Sequence, residues 1–415
     1  MSFGNVTKDL NITSLATMRS TASKNTNGFF SANIRTVGSL VQYERSPDVW
    51  VTAESLTVPA TQLGDNYALP SNIVQKSFSR DGTTLAVGLF APTPGDSILS
   101  ILTNTAGTYN QESFPIPPDA VTPELGSVSL NDTGDILALG AGSDNAGSGA
   151  VWLYAKIAGV WTLQGSKLTS PDGGFGISVS LDGAGNLLAV GCIQQLGQAG
   201  SAYIFDISTL AAPVFVAKLV GTIPGETILD FGFSINFSAD GSTLAVGAPN
   251  IGTLLASFAF IFTKVQGTWT QQAYFAAPTG YTIFGGRVSL SVDGNIMAVS
   301  SYNNAVIYYR SPGSVGQSAW STGIVPPLPY NYVGEFNGYF ASLSQDGNTL
   351  CTSSAINNNN AGASWIFTQG PLGTWTQNGP GFVSILNPAT VLSGDGKVAA
   401  CSNIYYASNL LCVFV

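Results

Sequence analysis

The sequence contains no histidine. That absence removes the commonest general base, every histidine-based catalytic triad and every histidine-containing zinc site. Charge is also scarce. Asp, Glu, Lys and Arg together make up 9% of the 415 residues, with 14 basic against 23 acidic side chains and a net charge of −9. No cluster of Lys and Arg occurs, so no nucleic-acid partner is expected. Long apolar runs are missing too. The longest, around residues 254–262, is interrupted by Ser257 and is too short to cross a bilayer, so no membrane insertion is expected. Residues 1–10 have no apolar core of the signal-peptide kind. Asn5, Asn11, Asn131 and Asn236 open glycosylation tripeptides, which carry little weight in a chain this rich in Asn, Ser and Thr. The four cysteines, Cys192, Cys351, Cys401 and Cys412, lack metal-type spacing. Cys401 and Cys412 fall on neighbouring strand-like segments and could bridge, but buried free thiols are the plainer reading. Neither a Gly-x-Gly-x-x-Gly nor a Gly-x-x-x-x-Gly-Lys segment stands between a strand and a helix, so no cofactor is expected.

What the chain has is glycine (48 residues), β-branched and aromatic residues, and hydroxyl and amide side chains. This mixture suits many short strands with tight turns rather than exposed helices. One phrase recurs. It reads Phe78-Ser-Arg-Asp81-Gly82-Thr-Thr-Leu-Ala-Val-Gly88 and returns at 130–140, 181–191, 237–247, 290–300, 343–353 and 392–402. The turn glycines are Gly82, Gly134, Gly185, Gly241, Gly294, Gly347 and Gly396, at intervals of 52, 51, 56, 53, 53 and 49 residues. A period near fifty with strand content implies a β-propeller, one four-stranded blade per repeat. Each copy reads as a hairpin closed by an Asp-Gly turn or a close variant. The nearly all-apolar run after the turn reads as a strand buried on both faces.

A second hairpin follows each first one, opening on runs such as Val151-Trp-Leu-Tyr154 and Ala202-Tyr-Ile-Phe205. Its last strand is led by an aromatic: Trp50, Tyr109, Trp161, Phe215, Trp269, Trp320 or Trp375. The seventh phrase lacks an outer strand of its own, and a surplus one lies near 50–56. The expected fold is therefore all-β: a seven-bladed propeller of four-stranded antiparallel blades over residues 38–415, with N- and C-terminal strands closing the last blade. Residues 40–44 resemble one further strand with no assigned place. Residues 1–37 read as a polar arm, either partly ordered or anchoring.

The repeats resemble the FG-GAP repeats of integrin-α-like propellers over about residues 38–415. The Phe-Gly pair stands at Phe175-Gly176, Phe231-Gly232 and Phe284-Gly285, and Gly-Ala-Pro at Gly247-Ala248-Pro249. Some members of that family hold calcium in the first hairpin. Here the loop offers one carboxylate, as at Asp81, Asp240, Asp293, Asp346 and Asp395. Calcium needs six to eight oxygens, so these read as turn residues and no metal is expected. The resemblance implies adhesion and protein–protein contact.

Catalytic candidates are few. Glu124, Glu226 and Glu335 precede the inner strands of their blades by similar distances, and a glycosidase needs only two carboxylates. Exposed loop acids are the plainer reading, and no catalytic residue is assigned. The lead aromatics could stack on sugars, but one equivalent position per blade favours packing between blades. Binding loops are better sought at Asp144 and Asn145, at Asn303 and Asn304, at 326–332 and at 357–360, without a residue singled out. The chain is thus expected to be a non-catalytic structural or binding module with protein partners. A virion or cell-surface setting, with anchorage through residues 1–37, is the narrower form. A lectin-like glycan binder and a carboxylate-dependent glycosidase are the two alternatives.

Overall fold

The computed structural model describes residues 67–68, 73–89, 99–112, 114, 117–121, 126–193, 198–251, 256–301, 304–326, 337–357, 361–370, 373–378, 382–383, 388–403 and 410–414. Each turn phrase folds into an antiparallel hairpin. In the fourth, Ser234–Phe237 pairs with Thr243–Ala248, with Phe237 opposite Leu244. Ser238 donates its hydroxyl to Asp240 at 2.6 Å, and Asp240 accepts the Ser242 amide at 2.9 Å. Gly241 takes φ of 68°, where a Cβ would be strained. The same Ser–Asp bond recurs at Ser79–Asp81, Ser291–Asp293, Ser344–Asp346 and Ser393–Asp395. The turn aspartates therefore spend their oxygens on closing their own turns.

Successive hairpins pair into sheets. Sheet 1 holds Ile73–Phe78, Thr84–Leu89, Leu99–Thr105 and Thr108–Glu112 in that order. Sheet 2 holds Ser127–Leu130, Ile136–Ala141, Ala150–Ile157 and Val160–Leu168. Sheet 3 holds Phe175–Leu181, Leu187–Cys192, Ser201–Asp206 and Val214–Leu219. In sheet 4, Phe258–Val265 and Thr268–Ala276 complete the hairpin described above. Sheet 6 runs Asn337–Leu343, Thr349–Asn357, Ala361–Gln369 and Trp375–Gln377, with Phe382–Val383 also pairing to the third strand. Sheet 7 runs Pro388–Leu392, Ala399–Asn403 and Leu410–Phe414, then Tyr67–Ala68 from the other part of the chain.

Sheet 5 corrects the expected count. It has three strands, Val288–Leu290, Ile296–Ser300 and Ala305–Tyr309, so the blades with a full four-strand path number six, not seven. Among the described residues, the segment that should form its fourth strand pairs with it at two isolated bridges, Ile307 to Ile324 and Arg310 to Trp320. Pro312 has no amide to give to a ladder, Gly313 and Gly316 take positive φ, and residues 317–319 coil into a 3-10 turn. The last blade is closed, as expected, by strands from the two parts of the chain. The outer strand of sheet 7 within the described residues is Tyr67–Ala68, paired with Leu411 and Leu410. The segments at 40–44 and 50–56, and the arm at 1–37, lie outside the described residues.

The inner strands of sheets 1 to 7 adjoin in cyclic order, and the last meets the first. A circle of backbone hydrogen bonds between the turns makes the closure explicit. Arg80 donates to Asp132, Asp132 to Gly183, Gly183 to Ala239, Asp240 to Val292, Val292 to Gln345, Gln345 to Gly394 and Asp395 back to Arg80, at 2.6–3.0 Å. Among the described residues there is no single central core. Buried side chains lie as slabs between neighbours: Ala86, Leu99 and Ile101 of sheet 1 against Val128 and Trp152 of sheet 2, for example. Between sheets 7 and 1 the slab is Leu85, Val87 and Tyr109 against Val398, Ala400 and Val413. Such face-to-face burial leaves each sheet dependent on both neighbours.

Candidate functional site

The ring encloses a central cavity of about 210 Å³, lined by residues from the inner strand of every sheet. Its wall follows a repeating three-residue plan, best seen in Ser127-Val128-Ser129 and Ser178-Val179-Ser180. In sheets 1 to 6 the last residue of the triplet accepts an amide from the following sheet. Ser77 takes Leu130 at 2.9 Å, Ser129 takes Leu181, Ser180 takes Phe237, Asn236 takes Leu290, Ser289 takes Leu343 and Ser342 takes Leu392.

The first residue of the triplet explains the Phe-Gly pairs. Ser127, Ser178 and Ser234 donate to the carbonyls of Gly176, Gly232 and Gly285 at 2.7–2.8 Å. Gly232 has φ of 97°, and a Cβ there would lie 2.5 Å from the Ser201 carbonyl oxygen. The phenyl rings at Phe175, Phe231 and Phe284 are buried. Phe231, for instance, meets Phe260 edge-on at 5.3 Å. These pairs join sheets; their atoms are occupied.

Two positions break the plan with cations. Lys76 stands where the other triplets have Val128, Val179, Ile235, Val288, Ala341 and Thr390. It is 5% exposed, and its ammonium donates to the Ser402 hydroxyl of sheet 7. Burial pulls its pKa from 10.5 down to about 7, with the Arg287 charge adding to the fall and Cys401 opposing it. Arg287 replaces the first serine in sheet 5 and lies over the Phe340 ring at 5.3 Å. At the turn end of the channel, Asp132 accepts from Gln345 and faces Arg80 at 3.7 Å. Asp182 accepts the amides of Asn186 and Leu187 at 2.7 and 2.9 Å. Burial raises its pKa against the pull of those amides.

The residues nominated from sequence do not assemble into a site. Glu124 and Glu335 lie outside the described residues, and Glu226 is exposed on a turn. Asp144 is buried and paired with Lys167 at 3.1 Å, so its loop is held rather than open. Asn145 follows with φ of 51°. Asn304 is buried, its Oδ1 accepting the Ala305 amide at 2.8 Å. Residues 303, 327–332 and 358–360 lie outside the described residues.

Five lead aromatics, Tyr109, Trp161, Trp269, Trp320 and Trp375, are buried. Trp161 reaches Glu112 of sheet 1 at 3.0 Å, and Trp375 reaches Tyr309 of sheet 5 at 2.8 Å. Packing between blades is their role. Phe215 is the exception among the described ones: it is 56% exposed. Trp50 lies outside the described residues. Cys192, Cys351 and Cys401 are buried free thiols, although Cys401 sits directly opposite Cys412 in register. Among the described residues no group of three or more Cys, Asp or Glu could hold a metal ion, and no helix is long and apolar enough to cross a membrane.

Sequence reasoning missed Lys76, Arg287 and the Asp132–Gln345 pair. The signal for the first was present: one lysine at a position that is apolar or threonine in the six other repeats.

The sequence matches no protein-family model and no curated protein. Solved structures do match by shape. Hydrazine synthase of Kuenenia stuttgartiensis superposes with a TM-score of 0.56 at 14% identity, over 84% of this chain and 96% of that one. The β-propeller domain of Myceliophteria thermophila Cps50 (Swd1) gives 0.56 at 13% identity, over 84% and 99%. The chain has a β-propeller fold. At these identities the likeness extends to architecture alone.

Proposed function

We propose that this propeller is a non-catalytic module for protein–protein contact, and that its three-stranded sheet 5 counts as a seventh blade. The blade reading draws on the place of sheet 5 in the circle of turn hydrogen bonds. It also draws on Trp320, which packs against Phe275 of sheet 4 at 5.4 Å as a fourth-strand aromatic should. FG-GAP kinship remains part of the proposal, carried by the structural work of the three Phe-Gly pairs.

The observation that carries the contact role is where apolar side chains meet solvent. Ile157 and Val160 of sheet 2, Val214 and Phe215 of sheet 3, and Val265 and Tyr274 of sheet 4 are exposed, all on the two outer strands of consecutive blades. Grouped exposed apolar residues mark contact surfaces. A partner seated on this rim, in a virion or on a cell surface and with residues 1–37 as anchor, is the form the proposal takes.

The test is assembly in the native host. The wild-type chain should co-sediment with a larger particle. Val160→Asp with Phe215→Asp, and separately deletion of residues 1–37, should leave a folded chain that sediments alone. Wild-type protein found only as a free monomer would reject the reading.

A further inference from the structure

An outer strand turns the N–H and C=O of every other residue away from its sheet, and an edge left in that state pairs readily with another chain. The outer strands of sheets 1, 2 and 4 cover part of that edge with side chains. In sheet 1, Asn110 donates its amide to the Thr108 carbonyl at 3.3 Å. In sheet 2, Thr162 donates to the Val160 carbonyl at 3.3 Å and Gln164 to the Thr162 carbonyl at 3.1 Å. In sheet 4, Thr270 donates to the Thr268 carbonyl at 3.5 Å. There Gln317 also accepts the Tyr274 amide at 2.8 Å and donates to the Tyr274 carbonyl at 2.9 Å.

Sheet 3 has none of this. Its outer strand reads Val214-Phe-Val-Ala-Lys-Leu219, with no side-chain amide or hydroxyl to spend on the backbone. Among the described residues its main chain bonds to Ser201–Asp206 and to nothing beyond the sheet. A register break does not set it apart, because sheets 2 and 4 have one between the same two strands. The missing side-chain caps do.

The chemistry of this edge suits a second copy of itself. Val214 and Phe215 at one end, and Val220 just past the other, are exposed. The one charge, Lys218, is spent within the protomer, 2.5 Å from Asp172 and 5.5 Å over the Tyr203 ring. In a chain of net charge −9, two copies repel least where the facing surfaces are neutral. A two-fold axis at Ala217 presents the same residues from both sides. In antiparallel pairing it sets Val214 opposite Val220, Phe215 opposite Leu219, and Lys218 opposite Val216. Moving the axis by one residue, to 218, would set Lys218 on its own copy, and like charges directly opposite are unfavourable.

We propose that the outer strand of sheet 3 pairs antiparallel with the same strand of a second copy of this chain, about a two-fold axis at Ala217. Main-chain hydrogen bonds then cross the joint, and the exposed valines cover one another. The pairing rests on the reading of the outer rim as a contact surface and gives sheet 3 its occupant.

Sedimentation equilibrium of the full-length chain at micromolar concentrations tests the pairing. The wild type should show a concentration-dependent dimer. Within one copy, residues 214 and 220 are roughly 20 Å apart, so charges placed there meet only across the axis. Val214→Lys with Val220→Lys should weaken the dimer at least tenfold. Val214→Lys with Val220→Glu should be at least tenfold tighter than that pair, because both symmetric contacts turn from like to opposite charge. Both valines are exposed, and urea unfolding should find the variants as stable as wild type. Val121→Lys with Val315→Lys, at exposed valines elsewhere, adds the same charge and should leave the dimer unchanged. A wild type that is monomeric throughout overturns the pairing. So does a Lys/Glu variant no tighter than the Lys/Lys one, or an equal loss at Val121 and Val315. A wild-type monomer that still co-sediments with a particle rejects the dimer and keeps the contact reading, with a foreign strand on this edge. A wild-type dimer that never joins a particle does the reverse.

Discussion

The interfaces between sheets 2 and 3, 3 and 4, and 4 and 5 are built on one plan, whereas the interface between sheets 7 and 1 is built on another. In the first group a serine donates to a Phe-Gly carbonyl, a second polar side chain accepts an amide, and the next-to-last residue of the second strand is a glycine pressed against the next sheet. At the closing interface Val391 takes the accepting position and Lys76 the apolar one, and Ser402 replaces the glycine. The backbone circle through the turns is nonetheless continuous across both. Closure therefore rests on main-chain geometry common to all repeats, and side chains are free to differ at the one joint where the two parts of the chain meet.

The comparison is broken most severely in the regular interfaces. Phe231→Ala should lower stability by about 3–5 kcal/mol, because a fully buried ring between sheets 3 and 4 leaves a cavity. Urea unfolding would read it. Gly247→Ala comes next, at about 3 kcal/mol, since its Cβ would fall 1.9 Å from the Gly285 carbonyl oxygen. The equivalent Ser402 already carries a Cβ, so Ser402→Ala should cost clearly less in the same assay. Ser234→Ala should cost about 1–2 kcal/mol by leaving the Gly285 carbonyl without its donor.

The closing interface has its own signature in pH. Lys76 has a folded pKa near 7 against 10.5 in the unfolded chain. Between those values the unfolded chain binds more protons, so this residue makes stability rise with pH, by about 1.4 kcal/mol per unit at most. Below pH 7 both states are protonated and its contribution is flat at its least favourable value. The stability of wild type relative to Lys76→Val should therefore climb from pH 7 to 9 in urea unfolding; a level difference would contradict the burial of that ammonium. Phe215→Ser should change stability least, by under about 0.5 kcal/mol, because that ring is largely in water.

Much of the architecture was legible because its signals are local. Asp-Gly turns, Phe-Gly pairs and the fifty-residue period each act within one repeat. The turn aspartates could be read as structural because a short loop with one carboxylate has no capacity for calcium. Sheet 5 was misread because Trp320 and its spacing looked regular. The interruption by Pro312, Gly313 and Gly316 matters only when a ladder is attempted. The segment led by Trp50, read as the outer strand of sheet 7, lies outside the described residues, and within them the pairing belongs to Tyr67 and Ala68. A two-residue strand carries no periodicity to detect. Phe215 looked like its buried counterparts because sequence position does not report which face of an outer strand is covered.

The sequence by itself determined that this chain is a series of β-hairpins repeating about every fifty residues, because turn chemistry and hydrophobic alternation are written residue by residue. Only the tertiary structure decided which of its few charges meet. Lys76 and Arg287 stand 211 positions apart in the chain and share a cavity only because the ring brings every inner strand to one axis. Electrostatic energy depends on distance and burial through space, and neither is encoded in any local stretch of residues.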